Sequence, residues 1–412
     1  MVKGTAGEGV GRLARVRDTL RVGRFLLELS RVAMAALRLR HRKLPRRLAV
    51  ARSLRQVFER MGPAYAKLGQ MIASSPGLFP EGFSEEFRSC LDGMPRISYR
   101  SVVSIVSSEL GKPMEELFAS FEREPIASAS IAQVHAARLV TGEDVVVKVQ
   151  RPGIETIFRR DLRVQARLAA KAERWVSLVR AANPRAFVED FAANIDHELD
   201  FEQEGRSMER FGANLWALGR NERVRVPRVY WSHTSRRVLT MERVHGESFD
   251  QVAVRAQAGA ELSDVLRRST LAWMEAAFEH GFFHGDVHAG NLMLDSDGVV
   301  VFLDFGIMGT FQPEVLRLMR QGLPAVVFDN DAHGLALAFY SYGASDPDLV
   351  ERAADQLAYE LRPMLDLPLE ELSFAEMFAE IIRVGSRHGV RIPAEVALVA
   401  KVLLYIDRYT RV

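Results

Sequence analysis

HGDVHAGN, residues 284–291, followed by LDFG at 303–306, is the stretch on which the reading of this chain turns. Phosphoryl transfer asks little covalent chemistry of a protein. It needs a group that orients the attacking oxygen and hard oxygen ligands for a cation that neutralises phosphate charge. Asp286 is placed for the first task. Asn291, five residues on, and Asp304, thirteen beyond that, offer the oxygen donors that Mg²⁺ takes. Each motif adjoins a short apolar run, NLML (291–294) or VVVFLDF (299–305), which favours loops at strand ends over a chance surface turn. His284 and His288 have the i, i+4 spacing of a zinc-binding helix, but Gly285 and Gly290 argue against a helix there, so the pair is not expected to ligate metal.

The other half of such a site is expected upstream. Lys148 lies mid-strand in VVVKVQ (145–150), an apolar run where an unpaired ammonium is costly. Nucleotide phosphates and a glutamate on a following helix account for it. From about residue 122 the apolar period is two: IASASIAQVHAARLV (126–140), a Thr-Gly-Glu-Asp turn and VVVKVQ form a β-hairpin. Ala127, Ser128, Ala129 and Ser130 therefore occupy the place of a glycine-rich phosphate loop. Their small side chains keep the backbone near phosphate oxygens and the serines can donate, although alanine lacks the conformational freedom of glycine. VLTMERV (238–244) ends a strand at the lobe boundary, where Met241 is expected behind the adenine and the Glu242 and Val244 backbones are expected to bond it. Short strands also read at VRVPRVYW (224–231), and long helices fill 155–215. A small, mostly β lobe before a larger helical one is the α+β, two-lobed plan of the protein-kinase-like fold.

Together the alanine-rich loop, VVVKVQRPG, ELDFEQE (198–204), VLTMERVHG, HGDVHAGN and DFG resemble the UbiB-type (AarF) atypical kinases, a family tied to isoprenoid quinone biosynthesis. The similarity spans roughly residues 55–312. KLGQ (67–70) matches the family's K-x-G-Q signature, which sits on an N-terminal helical extension that covers the nucleotide site. The resemblance implies a regulatory role for Lys67, Gly69 and Gln70, an E-x-D pair in Glu198 and Asp200 that engages Lys67 or a metal, and Glu204 as the partner of Lys148. It further implies ATP or ADP with Mg²⁺ as cofactors, kinase or ATPase activity, and a prenylated quinone precursor or other lipid as a partner. Gly205-Arg206-Ser207 departs from the family, which more often has alanine and then asparagine here. After a helical pattern ending at Val412 no apolar anchor helices follow, unlike in some bacterial members.

The chain divides into a basic amphipathic arm (1–50), the helical K-x-G-Q extension (51–122), a small lobe with inserted helices (123–246) and a helical large lobe (247–412). Helical patterns in the extension cover 49–74, 83–92, 99–109 and 113–120. Composition is globular, with 48% hydrophobic and 26% charged residues in 412. Residues 1–60 hold 16 Lys and Arg against 4 Asp and Glu, so this stretch carries +12 and the remainder −10. A basic arm on an acidic body suits an anionic partner, and the lack of aromatic interleaving or a nucleic-acid module favours a lipid surface over nucleic acid. FLLELSRVAMAAL (25–37) reads as an amphipathic helix with Leu26, Leu29, Ala33 and Leu37 on one stripe, fit for a membrane surface or for its own domain. Glu28 and Arg31 interrupt it, so neither a membrane span nor a secretory signal is expected. A cytoplasmic protein, peripheral on the inner face of a membrane, follows as the expectation. The single cysteine, Cys90, reads as a small buried hydrophobe in a reducing compartment. A second copy of the chain is a further candidate partner. Two other classes stay open: a small-molecule phosphotransferase of the aminoglycoside or choline kinase type, and a nucleotide-binding pseudokinase scaffold at a membrane.

Overall fold

The computed structural model describes residues 18–31, 46–73, 86–87, 96–175, 184–256, 260–343, 346–367, 372–390 and 393–410. Cys90, Ala33, Leu37 and most of the helix expected over 83–92 lie outside these residues.

Helix α1 (18–31) precedes α2 (Arg46–Met61) and α3 (Pro63–Ala73). The single helix expected over 49–74 is broken at Gly62, whose φ of +105° only glycine adopts freely, and Pro63 starts the next helix. Helix α1 is held by charge. The Arg21 guanidinium forks onto the fully buried Asp161 at 2.9 and 2.7 Å, and lies over the Tyr65 ring. Asp18 pairs with Arg163 and Arg167, and Glu28 with Arg60. These charged residues face inward, while Leu20, Leu26, Leu27 and Leu29 stay exposed.

Helix α4 (Tyr99–Leu110) is capped by Ser98 and closed by Gly111 in the left-handed conformation. A single turn, α5 (Met114–Leu117), runs directly into β1 (Phe118–Phe121), so the helix expected over 113–120 stops early. Phe118 and Phe121 have helical spacing, but a register shift between Phe118 and Ser120 brings both rings to one side of a strand, 5.3 Å apart. Strands β2 (Ala127–Ser128), β3 (Ala132–Leu139) and β4 (Asp144–Gln150) follow. Helices α6 (Ile154–Trp175), α7 (Pro184–Glu198) and α8 (Phe201–Ala217) come next, then β5 (Val224–Arg225) and β6 (Val238–Glu242). The small-lobe sheet is antiparallel in the order β1-β3-β4-β6, with β2 on β3. Alternation along β4 sets the site: Val145, Val147 and Val149 pack under Val102, Ile105 and Val106 of α4, which leaves Lys148 on the opposite face.

In the large lobe, β7 (Gly246–Ser248), α9 (Phe249–Ala256) and α10 (Ala260–Phe278) lead to β8 (Phe282–His284), β9 (Leu292–Asp295), β10 (Val300–Phe302) and β11 (Met308–Thr310). Strands β7, β8 and β11 carry three residues each, too few to show a period of two. The strand expected over 224–231 shrinks to β5, because Pro227 has no N–H for a ladder and a tight turn takes Trp231–His233. It pairs in parallel with β10, in a sheet ordered β5-β10-β9-β7. Helices α11 (Pro313–Asp329), α12 (Ala332–Gly343), α13 (Pro347–Leu365), α14 (Phe374–Arg387) and α15 (Ala394–Thr410) complete the lobe. The last packs against α10, α14 and β11, beneath the loop that carries Asp286.

Candidate nucleotide site

Lys148 is the hub. Its Nζ lies 2.7 and 3.0 Å from the Glu204 oxygens and 3.1 Å from Asp304 Oδ1, with the Phe201 ring centroid at 5.2 Å. Burial alone would push this ammonium down, but Asp304 and Glu204 outweigh it and hold it above its ordinary value. In return the ammonium holds the Asp304 carboxyl well below the usual carboxylate range. Glu204, with a side chain only 2% exposed, is pushed by burial up to about 7 against the pull of Lys148. One cation thus serves a strong acid open to solvent and a weak, enclosed one.

Glu204 is brought to Lys148 by the first turn of α8, whose start is set by Asp200. The Asp200 carboxylate accepts the N–H groups of Glu202 and Gln203 at 3.1 and 3.2 Å. Asp200 thus caps α8 through Oδ1, with Gln203 Nε2 3.4 Å from Oδ2, and of the E-x-D pair it is Glu198 that meets Lys67. Gly205, the departure noted in the sequence, has a local cause: a Cβ there would meet the Trp231 ring at 3.0 Å.

His284 ties the two signature loops together. Its Nε2–H donates to the Leu303 carbonyl at 2.9 Å and its Nδ1 accepts the Asp286 N–H at 3.1 Å. Burial lowers its pKa, in keeping with the neutral ring this pattern requires. Both nitrogens are engaged in structure. His288 caps the next turn through the Gly290 N–H. Asn291 Nδ2 donates to the Asp286 carbonyl at 2.9 Å, leaving Oδ1 as the atom available to a cation. The Leu303 N–H donates to the Asn291 carbonyl at 2.9 Å, and Asp304 follows with a φ of +56°, a strained conformation for a residue with a Cβ and one that clusters at functional sites.

Asp286 itself meets a partner that no motif announced. Lys401 Nζ, on α15, is 2.5 Å from Asp286 Oδ1. Burial would raise the Asp286 carboxyl, but Lys401 and then His288 outweigh it and hold it below its ordinary value. On the other side, Lys67 of α3 reaches Glu198 at the end of α7, with Nζ 2.8 Å from Oε1. Burial works against the Lys67 charge; Glu198, with smaller contributions from Asp286 and Asp304, raises it. Gly69 is buried and Gln70 half-buried on the same helix.

The alanine-rich loop is a tight turn in which the Ala129 N–H donates to the Ala132 carbonyl at 2.9 Å. Arg151, from Arg-Pro-Gly, clamps it: Nε donates to the Ala129 carbonyl at 3.0 Å and Nη2 to Ser128 Oγ at 2.9 Å. Ala127 and Ala129 are exposed and Ser130 half-buried. The Ser128 hydroxyl thus already serves Arg151, and retains only its own hydrogen for a phosphate. At the hinge, Met241 is buried opposite Val146. The Glu242 N–H donates to the Arg228 carbonyl at 2.8 Å, which limits the expected backbone contact of Glu242 with adenine to its carbonyl. Val244 is half-buried just past the end of β6.

Arg151 and Lys401 were missed from the sequence. For Lys401 a signal existed: it is the one charge in VALVAKVLLYI (396–406), the same oddity that exposed Lys148.

A lysine shared by a helix glutamate and a DFG aspartate, facing an Asp–Asn loop between a β lobe and a helical lobe, defines a protein-kinase-like site. Residues 89–337 match the ABC1 atypical kinase-like domain and 357–412 the UbiB helical domain. The chain belongs to the ABC1/UbiB atypical kinase-like family. It is similar to an uncharacterized protein of Mycobacterium tuberculosis (38% identity over 99% of this chain and 84% of that one). It is also similar to a probable protein kinase UbiB of Azotobacter vinelandii (30% identity over 89% of this chain and 69% of that one). Among solved structures, the Mycobacterium tuberculosis protein Rv3197 in complex with erythromycin matches at 22% identity and a TM-score of 0.48, over 82% of this chain and 91% of that one.

Proposed function

We propose that the protein binds ATP or ADP with Mg²⁺ between its lobes and acts as an atypical kinase or ATPase that supports isoprenoid quinone biosynthesis or lipid handling. The observation that carries this reading is the buried Lys148 between Glu204 and Asp304, since an ammonium held so tightly suits phosphates better than it suits packing. The donor set fits a hard divalent cation: an ionised Asp304 carboxylate and the Asn291 amide oxygen. Mg–nucleotide, when bound, supplies the phosphoryl group and neutralises charge on it. Glu204 keeps Lys148 extended toward the phosphates, Arg151 holds the loop backbone in place, and Asp286 orients the attacking oxygen. Lys67, locked to Glu198, restrains the site from the K-x-G-Q helix.

The quinone assignment rests on family membership and on relatives named UbiB. Contact with a lipid surface is supported by α1, whose Asp18, Arg21 and Glu28 are buried while Leu20, Leu26, Leu27 and Leu29 are exposed beside Arg24 and Arg31. Among the described residues no helix is long and apolar enough to cross a membrane.

The test is Mg–ATP hydrolysis by purified protein, with and without anionic liposomes carrying a prenylated phenol, alongside Asp304→Asn and Lys67→Ala. Hydrolysis that rises with lipid and vanishes in Asp304→Asn supports the reading, and faster turnover in Lys67→Ala supports restraint by the K-x-G-Q helix. Binding without turnover under every condition would shift the assignment to a scaffold. Absence of nucleotide binding would end the kinase reading.

A further inference from the structure

Helix α15 lies outside the stretch that matches the kinase-like domain, yet one of its faces runs along the loop that bears Asp286. Leu398, Lys401 and Tyr405, spaced three and four residues apart, share that face. Leu398 Cδ1 lies 3.3 Å from where a Cβ on Gly285 would sit. Lys401 Nζ holds Asp286 Oδ1 at 2.5 Å, and the Tyr405 hydroxyl accepts the Ala289 N–H at 2.6 Å. The remaining faces of the helix bury Val396, Val399, Ala400, Val402 and Leu403, so its placement is fixed by the large-lobe core.

We propose that α15 is a working part of the catalytic centre, with Lys401 as a positioning residue for Asp286 and Tyr405 as the anchor of the following turn. Asp286 is then fixed at three atoms. Its N–H is given to His284, its carbonyl accepts from Asn291, and its Oδ1 is held by Lys401. Oδ2, with His288 Nε2 3.9 Å away, is left to meet the attacking oxygen. Because the pair is largely enclosed, with Lys401 22% and Asp286 28% exposed, the contact orients the carboxylate rather than merely screening it. Turnover therefore depends on the docking of a segment from the helical domain. A ligand or partner that lifts α15 would switch the site off without touching the nucleotide.

The turnover arm of the test rests on the phosphoryl-transfer reading above; the exchange arm does not. Full-length wild type, Lys401→Met, Lys401→Arg and Tyr405→Phe are compared in nucleotide affinity, kcat, and hydrogen exchange of the amides in 284–291. Loss of alignment in Lys401→Met is expected to lower kcat roughly 100-fold while nucleotide affinity stays at the wild-type value. Lys401→Arg is expected to regain a large part of that loss. Exchange in the loop should accelerate in Lys401→Met and in Tyr405→Phe, a variant that keeps its ring and its packing. Wild-type kcat in Lys401→Met overturns the proposal, as does a loss of affinity that tracks the loss of kcat, which would make Lys401 a phosphate ligand. Unchanged exchange in both variants overturns the clamp even if the wild type proves to hydrolyse nothing.

Discussion

Replacing Lys148 and Glu204, singly and together, separates what this pair does for stability from what it does for nucleotide. Breaking a buried pair by removing one partner generally costs about 3–5 kcal/mol. Glu204→Leu leaves the Lys148 ammonium 3.1 Å from Asp304, whose side chain is half-exposed, so the lower end, about 3 kcal/mol, is expected. Lys148→Met strands a carboxyl already raised to about 7. Near neutral pH that group takes a proton, and the cost becomes that of an unpaired neutral polar group, about 1–3 kcal/mol. In the double variant neither group is left behind, and an apolar pair of similar volume is expected within about 1 kcal/mol of wild type. The coupling is then roughly 3 kcal/mol or more, read from urea unfolding of the four proteins in one buffer. Nucleotide binding, measured on the same samples, should be lost in both variants that lack Lys148, including the stable double one. Costs that simply add would refute the claim that the pair is an electrostatic unit. A double variant that binds Mg–nucleotide normally would refute the placement of the site.

Three further outcomes follow from other parts of the molecule. In Gly309→Ala the new Cβ would lie 2.2 Å from the ring of the fully buried Phe283, and a loss of about 3 kcal/mol is expected, which wild-type melting would contradict. Asp161→Ala removes both carboxylate bonds of Arg21 and leaves its bond to the Met61 carbonyl. Trypsin should then cut at Arg24 faster than in the wild type, and wild-type resistance would show that the Asp18 and Glu28 ion pairs suffice to hold α1. Glu380 of α14 is pushed by burial, with help from Glu360, up to about 7 from an ordinary 4.5. The folded protein therefore holds this proton more tightly than the unfolded chain. The contribution to stability is complete below about 4.5 and falls away as pH rises to about 7, roughly 3 kcal/mol in full and on the order of 2 kcal/mol once solvent screening is allowed for. Glu380→Gln should flatten that part of the pH profile, and an unchanged slope would count against the shift.

Some of the site could be read from the chain because its parts are local or periodic. The intervals from Asp286 to Asn291 to Asp304 survive as intervals, since the loop they span closes on itself through His284 and Leu303. Lys148 betrayed itself by standing in an apolar strand, where its neighbours' alternation already fixed which face it would use. Misreadings fell where local pattern is ambiguous or short: the three-residue strands, and the Phe118–Phe121 spacing that a bulge can imitate.

The sequence by itself determined the two-lobed plan, the Asp286–Asn291–Asp304 spacing and the lysine, because secondary-structure period and turn chemistry act over a few residues. Only the tertiary structure decided which charges meet: Lys148 with Asp304 across 156 positions, Arg21 with Asp161 across 140, and Lys401 with Asp286 across 115. Such pairs leave no spacing to read, since their distance is set by how whole helices pack, and burial then compels each enclosed ion to find a partner from whichever element arrives beside it.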